Sequence, residues 1–264
     1  MQKNGSVAML FHTLVVIFML APMVVVCLVA FTPENTLTMP WNGFSLRWFK
    51  AVFAHKDFMD SFSNSARLAL LSATISTILA VPSAIAITRY SFRGRDALNA
   101  LFLSPLIIPH LVLGVAFLQL FSLLGLTGSF AWLVATHAII VTPYALRLIL
   151  ASLSSMDQNA ESAARTLGAG EWTVFRRITL PLLLPGVSGG WLLAFINSFD
   201  ELTMSIFVTS PSTVTLPVRM YMYASESIDP MMAAVSALMI LVALVAMIIL
   251  DRLFGLDRLL VGKG

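Results

Sequence analysis

The sequence predicts an all-α membrane protein with six transmembrane helices. Three observations predict it. Of the 264 residues, 58% are hydrophobic and only 11% are charged, against about 25% charged in a typical soluble domain, so most of the chain is solvated by something other than water. Six stretches, near 9–31, 65–88, 100–124, 130–150, 183–208 and 232–253, each supply the roughly 20 mostly apolar residues that cross a hydrocarbon core of about 30 Å. The net charge is +3, yet the basic residues stand at the ends of the apolar runs, which suits a membrane surface better than nucleic acid.

The first run, Ala8 to Phe31, follows a short basic start at Lys3. It is longer than the roughly 7–15 apolar residues of a secretory signal, so it reads as a retained span. Residues 32–64 then form an outer segment, in which Trp41, Trp48 and Phe49 suit an interfacial aromatic anchor. A short basic inner turn at 89–99 carries Arg89, Arg93 and Arg95. They read as topology anchors, with a partner or a lipid phosphate as the alternative. The longer loop 151–182 is also inner, and 209–231 is the last outer loop. With an inner N-terminus, 11 of the 16 Lys and Arg, including Lys3, Arg147, Arg176, Arg177, Arg252, Arg258 and Lys263, fall inside. The other five, Arg47, Lys50, Lys56, Arg67 and Arg219, fall outside. This bias places both termini in the cytoplasm.

Prolines 22, 82, 105, 109, 143 and 185 lie in or near spans; each removes a backbone donor and permits a hinge or an ordinary bend. The single cysteine, Cys27, excludes an internal disulfide and reads as a small apolar filler. His12, His55, His110 and His137 show no metal-ligand spacing. No catalytic, cofactor or metal site is expected.

The inner loop is the most informative segment. Ser154, with Asp157 three residues on, resembles a helix start. Glu161 and Arg165 form an i,i+4 pair of favourable orientation. Ala160, Ala163, Ala164 and Leu167 make a narrow face of mostly small residues, and Gly168 and Gly170 end this first short helix. In a second, Trp172, Phe175 and Ile178 recur every three residues, and Pro181 is expected to stop it before the next span. Alanines let another protein approach the backbone closely, which suits coupling to a soluble partner; an amphipathic helix lying on lipid is the alternative.

This loop resembles the EAA loop of binding-protein-dependent ABC importer permeases: Glu-Ala-Ala, three residues, Gly, nine residues, Ile, one residue, Leu-Pro. The chain supplies Ala163, Ala164, Gly168, Ile178, Leu180 and Pro181 at matching spacing, but Ser162 stands at the Glu position and Glu161 one residue earlier. The resemblance covers about 61–250. It implies a type I ABC importer permease fold: a first helix and outer loop at 1–60, a five-helix domain with its EAA loop at 152–182, and a cytoplasmic tail at 251–264. The stretches Gly190–Phe195, Ser198–Glu201, Phe207–Pro211 and Thr215–Pro217 resemble spermidine/putrescine-type permeases. The resemblance implies a bacterial inner-membrane protein forming half of a pathway for a small polar solute such as a polyamine. Its implied partners are two cytoplasmic ATPase subunits, a second permease subunit, an extracytoplasmic substrate-binding protein and membrane lipid. The subgroup favours a homologue as the second permease. No Gly-x-x-x-x-Gly-Lys-Ser/Thr loop is present, so ATP hydrolysis belongs to a partner.

Asn197, Asp200 and Glu201 fall within the fifth predicted span. Charge there implies a substrate pathway, a hydrogen-bond network between subunits or, since the residues lie past the middle of the span, an interfacial position. Two other function classes fit less well. A self-sufficient secondary transporter would show inverted repeats and broken helices. An intramembrane enzyme would carry a Gly-x-Ser-x-Gly or His-Glu-x-x-His motif, and neither occurs.

Overall fold

The computed structural model describes residues 5–254; Lys3, Arg258, Lys263 and most of the tail assigned to 251–264 lie outside them. The described chain is helical: α1 Ser6–Val29, α2 Arg47–Ala54, α3 Lys56–Arg89, α4 Arg95–Leu103, α5 His110–Leu124, α6 Phe130–Ser155, α7 Asn159–Thr166, α8 Glu171–Val174, α9 Leu180–Phe199, α10 Ser205–Val208, α11 Leu216–Glu226 and α12 Met231–Phe254. Among the described residues five helices are long and apolar enough to cross a membrane, or six if a bent pair, Arg95–Leu106 with His110–Leu124, counts as one span.

Several boundaries differ from those the hydropathy suggests. The predicted third span is two helices with a 98° bend between them. Pro105 and Pro109 each lack an N–H, and Pro109 disfavours a helical Ile108. Pro22, Pro82, Pro143 and Pro185 remain inside helices. Ser154 does not start a helix. It lies in the last turn of α6, where its hydroxyl donates to Leu150 O at 2.8 Å; Asp157 instead accepts from Asn159 N at 2.9 Å, just before α7. Nor does Pro181 stop the second loop helix. It sits in the first turn of α9, where a missing N–H costs least when another helix precedes it through a wider turn. That turn is π-helical, Phe175–Thr179, and Glu171–Phe199 form one 29-residue span. The fifth span therefore begins earlier than 183 and ends at Phe199 rather than 208.

The chain forms two compact units. One comprises the residues up to Asp60 with Arg219–Ala243. There Phe49 packs on Phe31 at 5.0 Å between ring centroids, Arg47 lies 4.7 Å over the Trp48 ring, and the Trp48 indole donates to Glu34 O at 3.1 Å. Trp48 and Phe49 thus pack inward, whereas Trp41 is 84% exposed.

The other unit comprises Ser61–Val218 with the residues from Leu244 on, and α3, α6 and α9 form its centre. Gly186 and Gly190 sit one turn apart on α9, facing small residues of α6. A Cβ on Gly190 would lie 3.0 Å from Ala145 O and 3.1 Å from Ala145 Cα, and one on Gly186 would collide with Ser152. Small residues at such positions let two helix backbones touch. Nearer the start of α6, Ser76 Oγ donates to Ala138 O at 2.9 Å and Ser72 Oγ to Val134 O at 3.3 Å. Trp191 Nε1 donates to Thr74 Oγ1 at 3.1 Å, joining α9 to α3.

Gly190→Val should therefore force α6 and α9 apart, since overpacking a tight contact costs about 1–3 kcal/mol, occasionally more. A lower thermal unfolding midpoint of the detergent-solubilised protein checks this; an unchanged midpoint would contradict the close contact.

Candidate functional site

The two ends of the α8–α9 rod carry the chemistry. At 1.5 Å rise per residue, its 29 residues separate the ends by about 43 Å.

At the first end, α7 is a two-turn helix closed by a Schellman arrangement. Ala169 N donates to Ala164 O at 3.0 Å and Gly168 N to Arg165 O at 2.9 Å. Gly168 makes this possible with φ +87°, a left-handed conformation costly for residues with a Cβ. The helix presents two different faces. Ala160, Ser162, Ala163 and Leu167 are exposed and Ala164 is half-buried. Glu161 is only 4% exposed. Its Oε1 accepts from Thr179 Oγ1 at 2.9 Å and from Arg89 Nη2 at 3.4 Å, and its Oε2 lies 3.9 Å from Arg165 Nη1. Arg165 mainly serves Glu171, donating from Nε at 2.8 Å and from Nη2 at 3.1 Å. A cavity of about 680 Å³ opens beside this cluster, lined by Arg89, Tyr90, Glu161, Arg165 and Trp172 among others.

The one-residue offset between Glu161 and Ser162 therefore has a structural consequence. The two side chains are about 100° apart around the helix, so the carboxylate turns into the protein and the serine outward. Ile178 and Leu180 are half-buried and Pro181 is exposed. Of the expected apolar face of the second loop helix, Phe175 and Ile178 are half-buried but Trp172 is not. Trp172 is 70% exposed, while Val174 and Thr179 are buried.

At the other end, Asp200 and Glu201 lie past the helix rather than within it: α9 ends at Phe199 and Asp200 caps it. The structure separates the two acids. Glu201 is 8% exposed, accepts from Met204 N at 2.7 Å and lies 2.8 Å from His110 Nδ1. Asp200 is exposed. Asn197 turns its amide back to Leu193 O at 2.8 Å. Below the turn, buried His137 is hydrogen-bonded to Ser198 Oγ at 2.9 Å and Ser205 Oγ at 3.0 Å. Sequence reasoning missed Arg89, Thr179, His110 and His137 as members of these clusters. Only His110 had a local signal, its place directly after Pro109, where a broken span exposes backbone groups.

The comparisons with known proteins agree with this architecture. Residues 76–255 match the family model of the binding-protein-dependent transport system inner membrane component. The spermidine/putrescine transport system permease protein PotC of Escherichia coli (strain K12) is 29% identical over 94% of this chain and 93% of its own length. PotC of Haemophilus influenzae is 34% identical over 81% of this chain and 83% of its own. Among solved structures, a bacterial ABC transporter involved in the import of alginate superposes with a TM-score of 0.68 at 17% identity, covering 94% of each chain. The chain belongs to the family of binding-protein-dependent transport system inner membrane components. It is a multi-pass permease subunit of an ABC importer, with the fold of those permeases, and not an enzyme.

The left-handed end of α7 gives a direct check. Gly168→Val should destabilise the loop by about 1–2 kcal/mol, the usual cost of the left-handed region for a residue with a Cβ. Gly168→Asn should be milder, since Asn tolerates that region and no neighbour lies within 4 Å of a Cβ there. Protease sensitivity of the 156–170 segment reads the difference; equal sensitivity of both variants to the parent would contradict it.

Proposed function

We propose that this subunit forms half of an ATP-driven import pathway for a polyamine-type cation. In this reading α7 and α8 lie in the cytoplasm and dock on an ATPase subunit. One observation carries it: α7 holds its carboxylate inward and offers an open face of Ala160, Ala163 and Leu167, at the end of a helix rod whose other end carries exposed Asp200. The small-residue face accepts a close partner surface. The free acid suits a cationic solute, since charge near a translocation route needs such a role. Similarity to polyamine permeases along most of the chain supports the substrate class. The assembly would comprise two permeases, this chain and a homologue, two ATPase subunits and a substrate-binding protein on the opposite side. The functional residues of the loop are Glu161, which holds α7 to its own spans, and, on the docking side, Ser162, Ala163, Ala164, Gly168, Ile178, Leu180 and Pro181. Of the three pathway candidates, Asp200 is the one positioned to meet solute, while Asn197 and Glu201 hold its surroundings.

Uptake of radiolabelled spermidine and putrescine by the complete complex in liposomes tests this. Ala164→Trp should abolish ATPase co-purification and transport, because a large side chain pushes the docking surface away. Asp200→Asn should leave the complex assembled and reduce uptake at least about tenfold, the effect of about 1.4 kcal/mol. Intact transport in both variants would reject the reading.

Both termini are placed in the cytoplasm by the basic-residue bias. Cysteines introduced at positions 4 and 262 should then resist impermeant maleimide in intact cells. Labelling of either from outside would reverse the orientation.

A further inference from the structure

We propose that Glu161 and Arg89 are positioning residues that tie α7 to two spans at once, so that a force on α7 moves α3 and α9 together. The proposal rests on the reading of α7 as the ATPase-docking element.

The connection is one carboxylate with partners from separate elements. Glu161 on α7 accepts from Arg89, the last residue of α3, at 3.4 Å and from Thr179, in the π turn that opens into α9, at 2.9 Å. A carboxylate taken out of water keeps its charge only where charged or hydrogen-bonding groups replace its hydration. Displacing α7 without its partners would strip that replacement away, so α7 cannot shift freely against either span.

Two further features suit a joint that moves. Arg89 contacts Glu161 through Nη2 alone; its Nε and Nη1 are buried without a hydrogen-bond partner among the described residues. Buried donors left unmade are costly, so the guanidinium holds spare bonding capacity for a second arrangement of α7. The π turn Phe175–Thr179 lies at the same joint; single π turns inside helices occur frequently at functional sites. From there α9 runs unbroken to Phe199, so movement at Thr179 is delivered beside Asp200.

The experiment reads transmission without depending on the solute. In the complete complex carrying Cys27→Ala, a Thr203→Cys reporter is placed at the exposed position of the turn beyond Asp200. Its maleimide labelling rate is compared with and without ATP–vanadate trapping of the ATPase. The parent should change at least about fivefold, the lower range of coupling between linked sites. Glu161→Gln, which keeps shape and an acceptor for Thr179 but loses charge, should reduce this to less than about twofold while the ATPase still co-purifies. Arg89→Met should do the same, and Arg89→Lys should retain the change, because a single-nitrogen contact needs no guanidinium fork. If Glu161→Gln fails to assemble, the Arg89 pair decides. A full response in Arg89→Met, or no response in the parent, overturns the proposal. So does loss of the ATPase from Arg89→Met, which would make the pair part of assembly. Failure of the docking reading appears separately, as an ATPase that never co-purifies with the parent.

Discussion

The close approach of α6 and α9 is the constraint on which the rest of the central unit depends. Lipid is as apolar as a leucine side chain, so helices in a bilayer gain little from burying apolar surface against one another and rely on packing and hydrogen bonds instead. Gly186 and Gly190 against Ser152 and Ala145 provide that packing. With the two backbones fixed, His137 on α6 falls between Ser198 and Ser205, and α3 holds the first half of α6 through Ser72 and Ser76. Each of these bonds is modest alone, about 0.6–2 kcal/mol between membrane helices. They set register and orientation more than total stability.

A second constraint explains the polar residues at helix breaks. In hydrocarbon, a backbone N–H freed by a break must find a partner inside the protein. After α9 ends, Glu201 takes the amide of Met204. Near the start of α3, Ser65 takes the amide of Leu216 at 2.7 Å, and the Asn64 amide donates to Ser212 O and Val214 O at 3.2 and 3.1 Å. Glu201 is therefore occupied by the architecture, and this is why two adjacent acids differ so sharply in exposure. The broken third span fits the same logic, with His110 at the start of α5 meeting the second oxygen of Glu201.

Apolar runs made the spans legible from sequence, and the motif spacing made the loop legible. Boundaries were less so, for a physical reason. Residues 171–182 are amphipathic, with Glu171, Arg176 and Arg177 exposed, so hydropathy ends the span where the helix does not end. Proline alone did not discriminate either. Pro82, Pro143 and Pro185 are absorbed by helices, whereas Pro105 and Pro109, four residues apart, remove two donors within about one turn and break one. The partners of Glu161 were illegible because they come from 72 residues upstream and 18 downstream. Nothing in the basic turn distinguishes Arg89 from Arg93 and Arg95, which are exposed.

The position of the acid in α7 follows from these points. A carboxylate at 162 would share the exposed face with Ala163 and would be hydrated, with its contacts left to whatever surface approached. At 161 it is turned about 100° inward and already bonded to Arg89 and Thr179. At 161 the carboxylate thus attaches the helix to its own spans. Ala160, Ser162, Ala163 and Leu167 are exposed beside Arg165, whose charge is paired with Glu171, so small side chains dominate that face. Salt screening acts strongly on exposed charges and far less on buried pairs. An attachment made through buried Glu161 therefore holds across ionic conditions that would weaken a contact made on the surface.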